Sequence, residues 1–257
     1  MEVKERPILF SGPMVRALLD GRKTQTRRAI KPQPEYARGT VAPQALRGEP
    51  QKHPAPYFDA YNGGPFWCWW DEYDRQGSGQ TCPYGKPGDR LWVREAHAIY
   101  NTHGQHRSDG LRWGPWGHQP TRLSEDRTQI AYYREGFDRC DPGKWRPSIH
   151  MPRWACRLVL EITDVRAERL HGITEADAIA EGADQYASST KLRRDRAYDP
   201  RLNGIYREGF SELWEAINGA GSWDANPWVW AVSFRIVDQE AIAKATAGDT
   251  RNAEGAL

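Results

Sequence analysis

Cysteine is scarce in this chain of 257 residues, and its four copies, Cys68, Cys82, Cys140 and Cys156, form no Cys-x-x-Cys pair. That spacing argues against a zinc site and predicts reduced thiols. No run of 18 apolar residues is present, which excludes a membrane-spanning helix. The charged N-terminus lacks the apolar stretch of a secretory signal, so the cytoplasm is the expected compartment. No charge sign dominates: 36 Lys and Arg stand against 34 Asp and Glu, for a formal net charge of +2. Bulk charge therefore announces no nucleic-acid partner, and any electrostatic footprint has to be local. Internal repeats, His-Glu-x-x-His, the Gly-x-x-x-x-Gly-Lys phosphate loop and Gly-x-Gly-x-x-Gly are all absent. No metal and no organic cofactor is expected.

What the chain does have is a local basic excess. Residues 1–31 hold eight Lys and Arg against three acids, and Gly21–Arg28 reads Gly-Arg-Lys-Thr-Gln-Thr-Arg-Arg. Arg22, Lys23, Arg27, Arg28 and Lys31 are uninterrupted by acid, with Thr24 and Thr26 among them. Two readings stand level. The strip is a phosphate-binding edge, or a neutral lysine serves as the base that a threonine hydroxyl needs to act as a nucleophile. In an ideal strand, positions three apart face opposite sides, so Lys23 and Thr26 need a turn or bulge to act together.

Twelve tryptophans are the other excess. They either fill a core or form a base-stacking platform.

The length allows one large or two small domains, and the pattern favours one α+β domain over residues 1–237. Ser11–Gly21 predicts a helix, with Ser11 as cap, Pro13 in the first turn, Gly21 as stop and an apolar face of Met14, Val15, Leu18 and Leu19. Residues 32–86 read as an irregular insertion, with a turn at Pro83–Asp89 and a strand over Arg90–Glu95. Residues 100–128 read as loop within a second insertion over about 100–150, followed by a short strand at Tyr132–Arg134. Cys156–Val165 alternates as a half-buried strand, with Cys156, Leu158, Leu160 and Ile162 inward. Trp228–Ile236 alternates likewise, with Trp228, Trp230, Val232, Phe234 and Ile236 inward. Between them lie two helices. Thr174–Glu181 has capping-box-like spacing at Thr174 and Asp177 and a stop at Gly182, and Tyr206–Ile217 is amphipathic. Residues 183–204 form a basic loop, and 238–257 a frayed tail.

Glu181 falls at the end of its helix, where the macrodipole disfavours a carboxylate unless a cation such as Lys23 offsets it. A buried Lys–Glu pair is a candidate proton relay. By itself, however, a helix-end glutamate reads as a solvated surface residue. His150, Arg153 and Trp154 precede the central strand and offer hydrogen bonding, charge and stacking, or simply a packed turn. Trp223, Asp224 and Asn226 suit a backbone-bonded turn or the edge of a base.

Several of these stretches together resemble the ASCH-domain proteins of the PUA-like superfamily. They are Gly21–Arg28 after a short helix, Gly85–Glu95 with its Gly-Asp turn, Ile173–Gly182, and Trp228–Phe234. With Trp145–Trp154 and Gly221–Trp228, the set resembles the longer members found in phages and prophages. The resemblance implies a small β-barrel with flanking helices, here carrying long loop insertions. It also implies a partner that is a modified nucleoside or single-stranded nucleic acid. One bacterial branch of that family hydrolyses N4-acetylcytidine with a lysine, a threonine and a glutamate, which fall by motif match on Lys23, Thr26 and Glu181. The implied function is a nucleoside- or nucleic-acid-directed hydrolase, with Arg22, Thr24, Arg27, Arg28, His150, Arg153, Trp154, Trp223, Asp224 and Asn226 as candidate binding residues. The alternatives are a non-catalytic reader of RNA or modified DNA, a ribonuclease, and a virion-assembly interaction protein.

Overall fold

A computed structural model describes residues 3–33, 57–60, 66–70, 76–106, 112–113, 116–117, 119–139, 144–183 and 205–237. In chain order its elements are β1 (Glu5–Leu9), α1 (Gly12–Leu19), β2 (Gln25–Ala29), β3 (Tyr57–Ala60), β4 (Phe66–Trp70), β5 (Gln76–Thr81), β6 (Arg90–Arg94), β7 (His97–Asn101), β8 (Gln105–His106), β9 (Arg112–Trp113), β10 (Thr121–Leu123), β11 (Gln129–Tyr133), β12 (Val159–Arg169), α2 (Glu175–Ala180), α3 (Ile205–Asn218) and β13 (Trp228–Val237). The fold is mixed α+β, mostly sheet with few helices, and the strand pairings among the described residues form no closed ring. No helix among them is long and apolar enough to cross a membrane. The expected tail at 238–257 and nearly all of the basic loop, 184–204, lie outside the described residues.

The chain divides into two compact units. The first comprises Met1–Gly21, Gly88–Glu161 and Arg235–Leu257; the second comprises Arg22–Pro87 and Ile162–Phe234.

In the first unit β1 pairs in parallel with β6, and the opening residues of β12 pair antiparallel with β6. A second sheet runs β10-β11-β7, all antiparallel. The segment read as loop over 100–128 thus contains β8, β9 and β10. Short strands with Gly between them are too brief to show periodicity in sequence. Helix α1 forms where its signals place it. Ser11 stands at the N-cap in extended conformation, although its side chain makes no capping bond. Gly21 takes φ +70°, a left-handed turn that glycine enters without strain. The buried face is Met14, Val15, Ala17 and Leu18, while Leu19 is exposed, so the apolar stripe sits slightly off its expected position. Beneath β11 and β12, Ala131, Tyr133, Met151, Ala155, Cys156 and Val159 form a core cluster, with Trp92, Ile99 and Trp154 packed on it.

In the second unit β3, β4 and β5 make an antiparallel sheet where the sequence read as irregular. The aromatic run of β4 supplies strand propensity, but the Pro- and Gly-rich flanks masked it. The remaining strand order is β12-β13-β2, with β2 antiparallel to β13. Strand β13 is buried on both faces from Trp228 to Val232, a stronger enclosure than simple alternation predicts, and Trp230 meets Trp67 edge to face at 5.6 Å. Ile236, expected inward, is exposed, beyond the last β2-paired residue Ser233.

Helix α2 is short and depends on its cap. Thr174 Oγ1 accepts from Asp177 N at 3.1 Å, and Asp177 Oδ2 accepts from Thr174 N at 3.1 Å, completing a capping box. Leu170, Ile173, Ala178, Phe210, Trp214 and Val229 then pack α2 against α3 and β13. Thr174→Ala is expected to destabilise the protein by about 1 kcal/mol, measured as a lowered urea midpoint at unchanged slope.

Candidate functional site

The basic strip turns inward because its backbone is tied at both edges. Thr24 N donates to Ala180 O at 2.8 Å, at the end of α2, and Thr24 O accepts from Phe234 N at 2.9 Å, on β13. Lys23 is thereby driven into the interior, with its side chain fully buried. Its Nζ donates to Gln25 O at 2.8 Å, to Glu181 O at 2.7 Å and to Glu181 Oε2 at 2.9 Å. One ammonium thus satisfies an orphan carbonyl at a helix C-terminus and neutralises the carboxylate of the same residue. Glu181, at the C-cap, is 3% exposed. Residue by residue it read as solvated. The structure corrects this, because the cation needed to keep a carboxylate at a helix end is the buried Lys23.

Burial drives the Lys23 pKa below its ordinary value. The Glu181 charge and hydrogen bond pull it upward, Arg28 and Arg27 push it further down, and the net direction is down.

Arg27 does not present itself to a phosphate. It is 2% exposed and faces three carboxylates and an amide. Nη1 donates to Gln25 Oε1 at 2.7 Å and to Glu181 Oε1 at 3.3 Å; Nε donates to Glu168 Oε1 at 2.9 Å; Nη2 lies 3.3 Å from Asp177 Oδ2. Glu181 is therefore shared by Lys23 through one oxygen and Arg27 through the other. Burial works against the charged form of Asp177, yet the Thr174 hydrogen bonds and the charges of Arg27 and Arg166 hold its carboxyl below the ordinary value. Of the remaining strip, Arg22 and Thr24 are exposed and Arg28 is half-buried.

Thr26 is fully buried, opposite Val232 in the register of β2 and β13. Its Oγ1 makes no hydrogen bond. Because β2 pairs without a bulge from Gln25 to Ala29, Thr26 leaves the strand on the face opposite Gln25 and Arg27. An unpaired buried hydroxyl is costly and calls for an explanation.

No family model, curated protein or solved structure matches this chain.

The other expected residues divide by unit. Trp223 and Asn226 are in the second unit and build their own turn. Asn226, at φ +42°, accepts from His171 N at 2.8 Å through Oδ1, and Trp223 O lies 2.9 Å from His171 Nε2. The Trp223 ring stacks obliquely on His171 at 4.8 Å. Asp224 is exposed. His150, Arg153 and Trp154 belong to the first unit. His150 is exposed, Trp154 is half-buried, and Arg153 Nη2 pairs with Glu5 Oε2 at 2.8 Å. Among the described residues no group of His, Cys, Asp and Glu is arranged to hold a metal ion.

Sequence reasoning missed Gln25, Glu168 and Asp177 as the shell around Arg27. One signal was present. Lys23, Gln25 and Arg27 alternate along a strand that pairs with an almost wholly apolar partner, and charged groups enclosed there demand acids.

Proposed function

We propose that this chain is an ASCH-type, PUA-like protein, its sheet forming part of a small β-barrel wall, and that it hydrolyses the amide of an N4-acylated cytidine or related modified pyrimidine. The observation that carries the reading is the buried Lys23–Glu181 pair, 2.9 Å apart and 158 residues apart in sequence, within a motif whose Thr26 hydroxyl is enclosed and unpaired. In this reading Lys23, whose pKa burial lowers, gives up its proton to act as the base, and Glu181 tunes it. Because Thr26 leaves β2 on the face opposite Gln25 and Arg27, Lys23 takes the proton through a water relay as Thr26 Oγ1, or a water positioned by it, forms the new C–O bond at the acyl carbonyl. The C–N4 bond then breaks and N4 leaves with that proton. Water finally releases the acid where Thr26 has been acylated.

One observation favours a second reading, a non-catalytic binder of RNA or modified DNA. All three Nζ protons of Lys23 are already donated within the protein, which suits a structural cation.

Mass spectrometry of the products from a panel of N4-acylated cytidines and RNA oligonucleotides decides between them. Turnover is expected, with Lys23→Ala and Glu181→Gln reducing it by roughly 10²–10⁴. Thr26→Val is the cleaner variant. It removes an unpaired buried hydroxyl at nearly constant shape, so stability holds or rises while turnover is lost. Activity that survives all three changes would sink the assignment. A panel without turnover, coupled to oligonucleotide affinity that falls steeply with salt, gives the second reading.

A further inference from the structure

The first unit holds a cavity of about 380 Å³ that is chemically unlike the Lys23 site. The Arg146 guanidinium and the His150 imidazole line it, and no acid is among its described lining residues. Its floor is apolar, from Ile99 and Trp154, which also pack on the core. Its remaining wall includes Asn101 and Gln129, which sit directly opposite each other in the register of β7 and β11. Each amide offers donors and an acceptor.

The backbone that carries both residues is held in place. The Arg146 backbone is clasped to His97 by two hydrogen bonds, Arg146 N to His97 O at 2.7 Å and His97 N to Arg146 O at 3.2 Å. His150 closes a 3₁₀ turn, and Arg94 spans its flanks, donating to Ile149 O at 2.5 Å and to Met151 O at 3.1 Å. An arginine used this way fixes the geometry of the neighbouring side chain before any ligand arrives. The local field is positive. Burial first pushes the enclosed His97 toward its neutral form, the Glu95 carbonyl works against it, and the Arg146, Arg94 and His150 side chains push the same way as burial.

We propose that this cavity binds one phosphorylated nucleoside, with the phosphate between Arg146 and His150, the base against Trp154, and the Asn101–Gln129 amide pair reading ribose or base edges. The volume lies at the small end of ligand pockets, which suits a single nucleotide. The pocket stands on its own lining and not on Lys23.

The test is isothermal titration of the intact protein at low salt with cytidine 5′-monophosphate, cytidine and inorganic phosphate. The monophosphate is expected to bind, with cytidine and phosphate each at least tenfold weaker, because anion and ring are needed together. Arg146 is exposed, so Arg146→Ala should fold normally and weaken the monophosphate at least tenfold, and Trp154→Phe should weaken it without emptying the floor. Thr26→Val should leave the affinity within twofold, so that failure of this pocket and failure of the hydrolase are distinguishable. A 5′-phosphorylated oligonucleotide that binds more tightly, with the same sensitivity to Arg146→Ala, identifies the ligand as one residue of a strand; equal affinity identifies it as free. An affinity untouched by Arg146→Ala, or phosphate binding as tightly as the monophosphate, overturns the proposal.

Discussion

Lys23→Ala is expected to lower the free energy of unfolding by about 3–5 kcal/mol, seen as a large drop in the denaturant midpoint. The side chain it truncates is fully buried and ties two carbonyls and a carboxylate. Its removal leaves Glu181 Oε2 enclosed without a cation, although Arg27 still reaches Oε1 at 3.3 Å. Lys23→Met combined with Glu181→Met removes both charges and should recover most of the loss, since a buried pair gains little over apolar packing of similar volume. A single-variant loss below about 1 kcal/mol, the size of an exposed pair, would show that the site is wet. The pair also sets a pH dependence. The folded pKa of Lys23 lies below the ordinary 10.5, so the unfolded chain holds that proton more tightly. Stability therefore rises with pH between the lowered value and 10.5, and falls back as pH drops through the lowered value. Lys23→Met should flatten that rise in denaturation curves collected across alkaline pH.

Arg157→Ala in the first unit is expected to cost a similar amount, about 3–5 kcal/mol. The guanidinium grips Glu95 with two bonds of 2.8 Å, donates to Glu135 O at 2.9 Å and lies 4.2 Å over the Tyr133 ring. Glu95 is 1% exposed. Arg157→Lys should restore little, because an ammonium neither matches the two-pronged contact nor stacks on the ring. Recovery to within about 1 kcal/mol of the parent would overturn this account of the contact. Burial already raises the Glu95 pKa against the pull of Arg157. Without Arg157 it rises further, so the variant's loss should shrink as pH falls from 8 and Glu95 takes up its proton.

The elements legible in sequence were those whose signal is local. Thr174 and Asp177 form a reciprocal cap three residues apart, and Leu158, Leu160 and Ile162 are buried as expected, although the strand begins only at Val159 and Val159 is buried between them. The illegible ones depend on distant partners. Strands β3 to β5 hide among turn-forming residues because each is stabilised by its neighbours rather than by its own pattern. Glu181 read as solvated because nothing within its helix shows that Thr24 N bonds Ala180 O and brings Lys23 beneath it. Arg27 read as a phosphate ligand because Glu168 and Asp177 lie far along the chain. The resemblance to ASCH proteins singled out Lys23, Thr26 and Glu181, and the packing joined two of them directly.

Strand β2 bears on how this protein is born. Its partner β13 is made late: Gln25 waits for Ser233, 208 residues further on, to accept its side-chain hydrogen bond. Both compact units draw on early and late stretches of the chain. Synthesis must therefore pass Phe234 before β2 gains its partner strand, and until then Lys23 and Arg27 lack the enclosure that β13 gives them. A nascent chain stalled ahead of residue 228 should stay sensitive to protease throughout the strip, and gain protection in one step once β13 emerges.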